Sequence, residues 1–198
     1  MTLAAITVPQ TPACTAALDV ASTYCSPALL NHSIRAYLWA AAHAQATGIA
    51  FDAELLYVAS LLHDIGLVDA FDNQRLPFEI AGGHVAWVFG AGVGWPAQRR
   101  TRAAEIIERH MWDQVDPTSD PEGHLLEFST GLDISGRSVD AVPATVRAEV
   151  LARYPRLDLG PEFLACFRDQ AERKPGSRAA HLMANGIAER IAANPLDR

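Results

Sequence analysis

The 198-residue sequence predicts an all-α fold, a single-domain bundle of roughly seven to nine helices. Three observations predict it. Apolar residues recur at the spacing of one helix face, in segments that Pro or Gly separates. No stretch alternates apolar and polar residues in the way that a half-buried strand would. Apolar residues make up 49% of the chain and charged residues 20%, which is typical of a globular domain.

Capping residues delimit the N-terminal helices. A short helix is predicted near residues 12–22. Ser26 and Pro27 start the next one, because Ser favours the N-cap and Pro the first helical position, and this helix ends near Gly48. Asp52 caps a third helix that is apolar nearly all round, so we expect it at the centre of the bundle.

Glycine and proline also divide the rest of the chain. Gly66 stops the third helix, and a fourth is expected from Pro77 to about Phe89, before a run of glycines. A fifth opens at Pro96, and a sixth begins at about Pro121. Three further amphipathic helices are predicted near residues 143–153, 161–173 and 177–193.

Charge and composition limit the possible partners. Sixteen Lys and Arg against 23 Asp and Glu give a formal net charge of −7, which argues against binding nucleic acid or an anionic membrane. The first residues lack the pattern of a signal peptide, and no long apolar run predicts a membrane span. Three unpaired cysteines indicate a reducing compartment. We therefore expect a cytoplasmic protein with a small-molecule substrate, and a homo-oligomer is possible.

The His63-Asp64 pair is the centre of the functional argument. It ends the most apolar helix, in the string LLHDIGL, where a buried histidine and carboxylate need a strong partner such as a divalent metal. Other residues of the same chemistry lie on separate helices, which is how a bundle assembles a metal site. They are His32, His84, His110 and Asp133.

The order of these residues resembles the HD superfamily of metal-dependent hydrolases, and within it the cyanamide-hydratase-like branch. The resemblance rests on four strings: NHSIRAY at 31–37, LLHDIGL at 61–67, FEIAGGHVA at 78–86 and GLDISG at 131–136. It covers a motif-bearing core at about 25–140, while the helices at about 143–193 are matched only by being helical. The resemblance implies one HD-type domain over residues 1–198.

The resemblance also implies roles for individual residues. It assigns the primary metal to His32, His63, Asp64 and Asp133. His84 and His110 occupy positions that hold a second metal in dinuclear members, or that serve catalysis or substrate binding. We expect zinc if the site is mononuclear, and iron or manganese if it is dinuclear.

Two further residues are candidates for supporting roles. Arg35 lies one turn after His32 and is expected to clamp an anionic substrate or to pair with Glu79 or a ligand carboxylate. Glu79 is itself expected to support the ligands or contact the substrate.

The implied reaction is that of a metal-dependent hydratase or hydrolase. A metal-bound water would attack a small, mostly neutral substrate such as cyanamide or another nitrile. Two alternatives are a phosphohydrolase of a nucleotide or phosphate ester, with Arg35, Arg75 and Arg109 as candidate phosphate ligands, and a dinuclear iron oxygenase. A non-enzymatic sensor domain is a fourth, weaker interpretation.

Overall fold

The computed structural model describes residues 2–197, which form helices joined by loops, with no strand in that range. The predicted all-α fold is confirmed. The α-helices are α1 Pro12–Tyr24, α2 Pro27–Thr47, α3 Ala53–Leu62, α4 Phe78–Gly92, α5 Ala97–Arg109, α6 Pro121–Ser135, α7 Ala144–Arg153, α8 Leu159–Arg173, α9 Arg178–Ala184 and α10 Ile187–Ala192. Short 3₁₀ helices lie at Leu3–Ala5, Ile65–Leu67, Val139–Ala141 and Pro195–Asp197.

The described chain has ten α-helices, one more than the upper end of the prediction. The predicted segment 177–193 divides into α9 and α10 at Gly186, whose φ of 75° lies in the left-handed region and interrupts the helical hydrogen bonds. The predicted caps are present: Ser26 accepts from the Leu29 N–H at 3.1 Å, and Asp52 from the Leu55 N–H at 3.0 Å.

Helices α2 and α3 lie at the centre of the main core. Every residue of α3 from Leu55 to Leu62 is buried, which matches its apolar character all round. Helix α3 packs against α1, α2 and α5, and α6 packs along α2. At roughly 1.5–3 kcal/mol for each fully buried aliphatic side chain, this packing fixes the ends of α2, α3 and α6 relative to one another.

Helix α4 extends past the expected end at Phe89 and includes Gly90 before it stops at Gly92. A Cβ at Gly90 would lie 2.8 Å from Arg100 Cγ, so this glycine allows α5 to pack closely on α4. Tertiary packing therefore overrides the weak helix propensity of glycine here. The chain reverses its direction between α4 and α5 only at Gly94, which has a φ of 79°.

The C-terminal helices form a second apolar cluster that covers one end of α6. Phe163 and Phe167 on α8 and Ile187 on α10 pack in this cluster with Ile134 of α6. Helix α8 contacts α2, and α10 contacts α6. Within residues 2–197, no helix has both the length and the apolar character needed to cross a membrane.

Candidate metal centre

The His63-Asp64 pair lies in the turn that ends α3. Helix α3 stops at Leu62, and Asp64 has φ −100° and ψ 7°, outside regular helical geometry, before the 3₁₀ helix Ile65–Leu67. Both side chains are essentially inaccessible to solvent. Helix α4 contacts this turn through glycine, because a Cβ at Gly82 would lie 3.1 Å from the His63 carbonyl oxygen. The packing therefore holds the pair rigidly at the end of a buried helix.

Three side chains converge on one point beside this turn. His32 Nε2 lies 3.1 Å from His63 Nε2, and Asp64 Oδ2 lies 3.3 Å from the first nitrogen and 3.1 Å from the second. Donor atoms each about 2.1 Å from one ion lie roughly 3.0–3.4 Å apart at octahedral or tetrahedral angles. The three residues also form the group with metal-ligand spacing among the described residues. We refer to His32, His63 and Asp64 as the ligand trio.

The opposite ring nitrogens of both histidines hold hydrogen bonds that fix the tautomers. His63 Nδ1 lies 2.7 Å from the Ser60 carbonyl oxygen, which only accepts, so Nδ1 carries the proton. His32 Nδ1 lies 2.7 Å from Asp133 Oδ2 and donates to that carboxylate. When the rings are neutral, as metal binding requires, both Nε2 atoms therefore present a lone pair to the common point, the arrangement in which metal-binding imidazoles are usually held.

Asp64 brings a buried negative charge whose carboxylate oxygens receive no hydrogen bond from the described protein. Both of its carboxylate oxygens are buried and have no hydrogen-bond partner within residues 2–197. Burial raises the pKa of a carboxyl, but His63 and His32, when protonated in the absence of a metal, hold the pKa of Asp64 well below its usual range. A buried carboxylate without hydrogen bonds is costly unless a cation accompanies it. Two imidazole lone pairs and this bare carboxylate fit a divalent metal ion.

Asp133 lies behind His32 instead of facing the common point. Its Oδ1 accepts from Arg35 Nε at 2.9 Å and Trp39 Nε1 at 2.7 Å, and its Oδ2 accepts from Arg35 Nη2 and His32 Nδ1, both at 2.7 Å. These four hydrogen bonds occupy the acceptor positions of a carboxylate. In this structure the carboxylate of Asp133 therefore orients the His32 ring and does not face the common point, and the expected direct ligation by Asp133 stays a prediction.

Arg35 is fully buried and directed away from the ligand trio. Besides its two bonds to Asp133, it donates to the carbonyl oxygens of Tyr154 at 3.0 Å and Pro155 at 3.1 Å. It is thus not free to clamp an anionic substrate, and it pairs with the carboxylate of Asp133 and not with Glu79. Burial raises the pKa of a carboxyl, but Arg35 holds the pKa of Asp133 well below its usual range.

His110 lies beside the trio at the end of α5. Its Nε2 is 3.8 Å from Asp64 Oδ1, and its Nδ1 donates to the Ile107 carbonyl oxygen. Burial, together with the neighbouring His63, lowers the pKa of His110 to about 3, so the ring is neutral at pH 7. His110 therefore presents a third Nε2 lone pair, which can hold a metal or accept a hydrogen bond from water.

The structure does not bring His84 to the cluster, contrary to expectation. Its side chain is exposed, whereas Gly82, Gly83 and Ala86 on the same helix are buried. Two residues correspond to a rotation of roughly 200° around a helix, so His84 lies on the face opposite Gly82. A second metal held jointly by His84 and His110 does not fit this arrangement.

Glu79 is buried but does not serve the ligand trio. It is 4% exposed, its Oε2 has no hydrogen-bond partner in the described chain, and burial raises the pKa of its carboxyl. Glu79 lines no part of the cavity described next, and it makes no bond to Arg35. Within the described residues, Glu79 therefore shows no hydrogen bond to the ligand trio and no contact with the cavity through which it could support the ligands or contact the substrate.

A cavity of about 280 Å³ opens from the ligand trio and His110. Its walls come from α6 and from α8–α10, including Phe163, Phe167, Leu182 and Ile187. None of these wall residues was singled out in the sequence, because an apolar residue at helical spacing has the same pattern whether it fills a core or lines a cavity.

Comparison with known proteins places the chain in a family. The sequence model of the HD domain family matches residues 29–141, more than half of the chain, and the chain therefore belongs to this family. Two proteins of Saccharomyces cerevisiae, cyanamide hydratase DDI2 and cyanamide hydratase DDI3, are each 29% identical to it over 163 residues. Each alignment covers 78% of this chain and 70% of the relative. The predicted resemblance to the cyanamide-hydratase-like branch is confirmed.

Family membership and the ligand trio together support a metal-dependent hydrolase or hydratase that binds a divalent metal. The HD match runs from residue 29, in the first turn of α2, to beyond the end of α6, and so includes every residue of the trio, His110 and Asp133. Helices α7–α10 lie beyond it. The metal-binding elements thus lie within the match, whereas part of the cavity wall, including Phe163, Phe167, Leu182 and Ile187, comes from helices beyond it.

Proposed function

We propose that this protein is a metal-dependent hydratase that adds water to the nitrile carbon of a small substrate such as cyanamide. The observation that carries the proposal is the bare, buried carboxylate of Asp64 beside two imidazole lone pairs at the buried floor of a cavity. The reaction class is supported by the 29% identity to the two yeast cyanamide hydratases. We expect zinc, because two imidazoles and a carboxylate are common zinc ligands.

In this proposal the ligand trio holds the metal, and His110 orients the attacking water. When bound, a divalent metal lowers the pKa of water from about 15.7 to about 7 and so supplies hydroxide at neutral pH. His110 Nε2 is placed to accept a hydrogen bond from that water, since its Nδ1–H stays on the Ile107 carbonyl. The proton that the water loses passes to the nitrile nitrogen. The carbon–oxygen bond forms as one carbon–nitrogen π bond breaks, and tautomerisation yields the amide, which is urea for cyanamide.

Apolar walls near the reacting centre support this chemistry. The Phe163 ring lies 6.0 Å from the His32 ring, and Phe78 lies 5.8 Å from His110, as measured between ring centroids. These rings lower the polarity around the point where the nucleophile forms. Low polarity there strengthens the hold of the charged Asp64 on a bound cation.

The phosphohydrolase alternative receives little support from the arginines proposed for it. Arg35 is committed to Asp133, Arg109 pairs with Asp120 at 2.7 Å, and Arg75 is exposed and lines no part of the cavity. A dinuclear oxygenase would need His84 at the cluster, and His84 lies on the opposite face of α4.

Elemental analysis of protein purified without added metal tests the proposal first. We expect about one divalent metal per chain and hydration of cyanamide to urea. Asp64→Asn should lose the metal and the activity with unchanged helix content in circular dichroism, while Asp19→Asn, an exposed position on α1, should lose neither. Two metals per chain would move the assignment to the dinuclear alternatives, and full activity in Asp64→Asn would overturn it.

A further inference from the structure

The cavity has a buried floor and an exposed mouth. The ligand trio, His110, Phe163 and Phe167 form its inner end and are all nearly inaccessible to solvent. Trp112 is 47% exposed and Arg190 is also exposed, and both line the same cavity. A bound molecule therefore places its reacting group at the inner end and its other end near these residues.

The size of the cavity exceeds the needs of cyanamide. Its volume is about 280 Å³, at the lower end of the range for small-ligand pockets. At roughly 30 Å³ for each water-sized group, it holds on the order of nine non-hydrogen atoms, about three times the number in cyanamide. Cyanamide alone would leave most of the cavity to water against apolar walls.

The walls between the floor and the mouth suit an apolar body. Phe163 and Phe167 pack with ring centroids 4.4 Å apart and ring planes tilted by 37°. Leu182, Ile187 and Ile134 add further apolar surface, and the polar side chains of Thr130 and Ser135 on α6 also line the cavity. These apolar side chains make no hydrogen bond with a substrate, so they favour a substrate that buries apolar surface against them. All but Ile134 lie on α8–α10, outside the HD match.

Within residues 2–197, one arginine at the mouth of the cavity forms no salt bridge with an acidic residue. Arg137 pairs with Glu127 at 2.6 Å, and Arg178 pairs with Asp113. Arg190 donates to the Asn185 carbonyl oxygen at 2.7 Å, and no carboxylate within residues 2–197 forms a salt bridge with it. A guanidinium with spare donors at the rim is suited to bind a carboxylate.

We propose that the natural substrate is larger than cyanamide: a nitrile on an apolar body of about the size of a phenyl ring, with an anionic group at the opposite end. The apolar body lies against α8–α10, and Arg190 binds the anion. This inference rests on the proposed hydratase function for its reacting group, but the cavity and the arginine define the body and the anion independently.

Binding and turnover together test this substrate class. Isothermal titration of the metal-loaded protein compares urea, benzamide and 4-carbamoylbenzoate, which resemble products and do not react. We expect benzamide to bind at least tenfold more tightly than urea, and 4-carbamoylbenzoate several-fold more tightly than benzamide. In hydration assays, kcat/KM should rise in the order cyanamide, benzonitrile, 4-cyanobenzoate.

Single-residue variants test which residue binds the anionic group and which residue contacts the apolar body. Arg190→Gln should abolish the preference for 4-carbamoylbenzoate over benzamide, whereas Arg168→Gln, an exposed arginine on α8 outside the cavity, should keep it. Leu182→Trp should weaken the binding of benzamide at least tenfold. The neighbouring Met183→Trp, at a position that does not line the cavity, should leave the binding of benzamide unchanged. If Leu182→Trp lacks native helix content, Leu182→Phe takes its place.

The outcomes separate this inference from the proposed function. Efficient cyanamide hydration without benzamide binding would overturn the substrate class and leave the hydratase assignment standing. Arginine-dependent binding of 4-carbamoylbenzoate without hydration of any nitrile would support the substrate body and overturn the hydratase assignment. Equal affinity of 4-carbamoylbenzoate for the wild type and Arg190→Gln would overturn the role of Arg190.

Discussion

Replacing Asp133 with asparagine distinguishes a metal ligand from a residue that orients one. Asparagine keeps the shape of the side chain but removes its charge, and its amide nitrogen cannot accept hydrogen bonds. At most two of the four bonds now made by the carboxylate survive, and the buried Arg35 loses its counter-charge. Removing one partner of a buried ion pair costs about 3–5 kcal/mol.

The effect on metal binding should be smaller than that of removing a ligand. Because Asp133 acts through the Nδ1–H of His32, its loss should lower metal affinity by roughly 10–100-fold, the range found when the hydrogen-bond partner of a metal-binding histidine is removed. Asp64→Asn should instead remove binding almost completely. Urea unfolding measures the loss of stability, and competition with a chromophoric chelator measures the loss of metal affinity.

A double variant isolates the contribution of the unpaired arginine. Arg35→Met in the Asp133→Asn background removes the buried charge, so it should recover at least about 1–2 kcal/mol of the lost stability. The reasoning is refuted if Asp133→Asn keeps wild-type stability yet loses metal as completely as Asp64→Asn. That result would make Asp133 a direct ligand.

Three further changes test other parts of the structure. Gly66→Ala should destabilise the protein by several kcal/mol in urea unfolding, since its Cβ would lie 2.2 Å from a carbonyl oxygen of α4; wild-type stability would contradict the close approach. Burial raises the pKa of Asp72, but Gln170 and Lys174 hold it below its unfolded value of 3.8. Its stabilising effect is therefore present above pH 3.8 and lost as the pH falls, and Asp72→Asn should show a shallower loss of stability on acidification below about pH 4. His84→Ala should leave metal content unchanged by elemental analysis, and a loss of metal would restore a ligand role.

The sequence predicted those features that depend on local pattern. The apolar character of α3 predicted that His63 and Asp64 lie at its buried end, and the resemblance of NHSIRAY to the family motif predicted that His32 lies beside them. The caps at Ser26 and Asp52 follow from side-chain oxygens that satisfy free N–H groups.

Other features depend on tertiary packing that the sequence does not display. An aspartate in GLDISG can bind a metal or orient a histidine, and the placement of Arg35 decides for Asp133. His84 follows Gly82 by only two residues, yet glycine packing turns Gly82 inward and His84 outward. The cavity walls on α8 and α10 have the same helical spacing as core residues, so only their assembly distinguishes them.

The length of two helices determines the chemistry of the site. Ser60 and Ile107 lie in the last turns of α3 and α5, where carbonyl groups have no partner further along the helix. His63 and His110 use those free carbonyls to fix their Nδ1 protons. One additional turn on either helix would bind the carbonyl to a backbone N–H and release the ring to rotate or change tautomer. The points where these helices end are therefore as much a part of the metal centre as the histidines themselves.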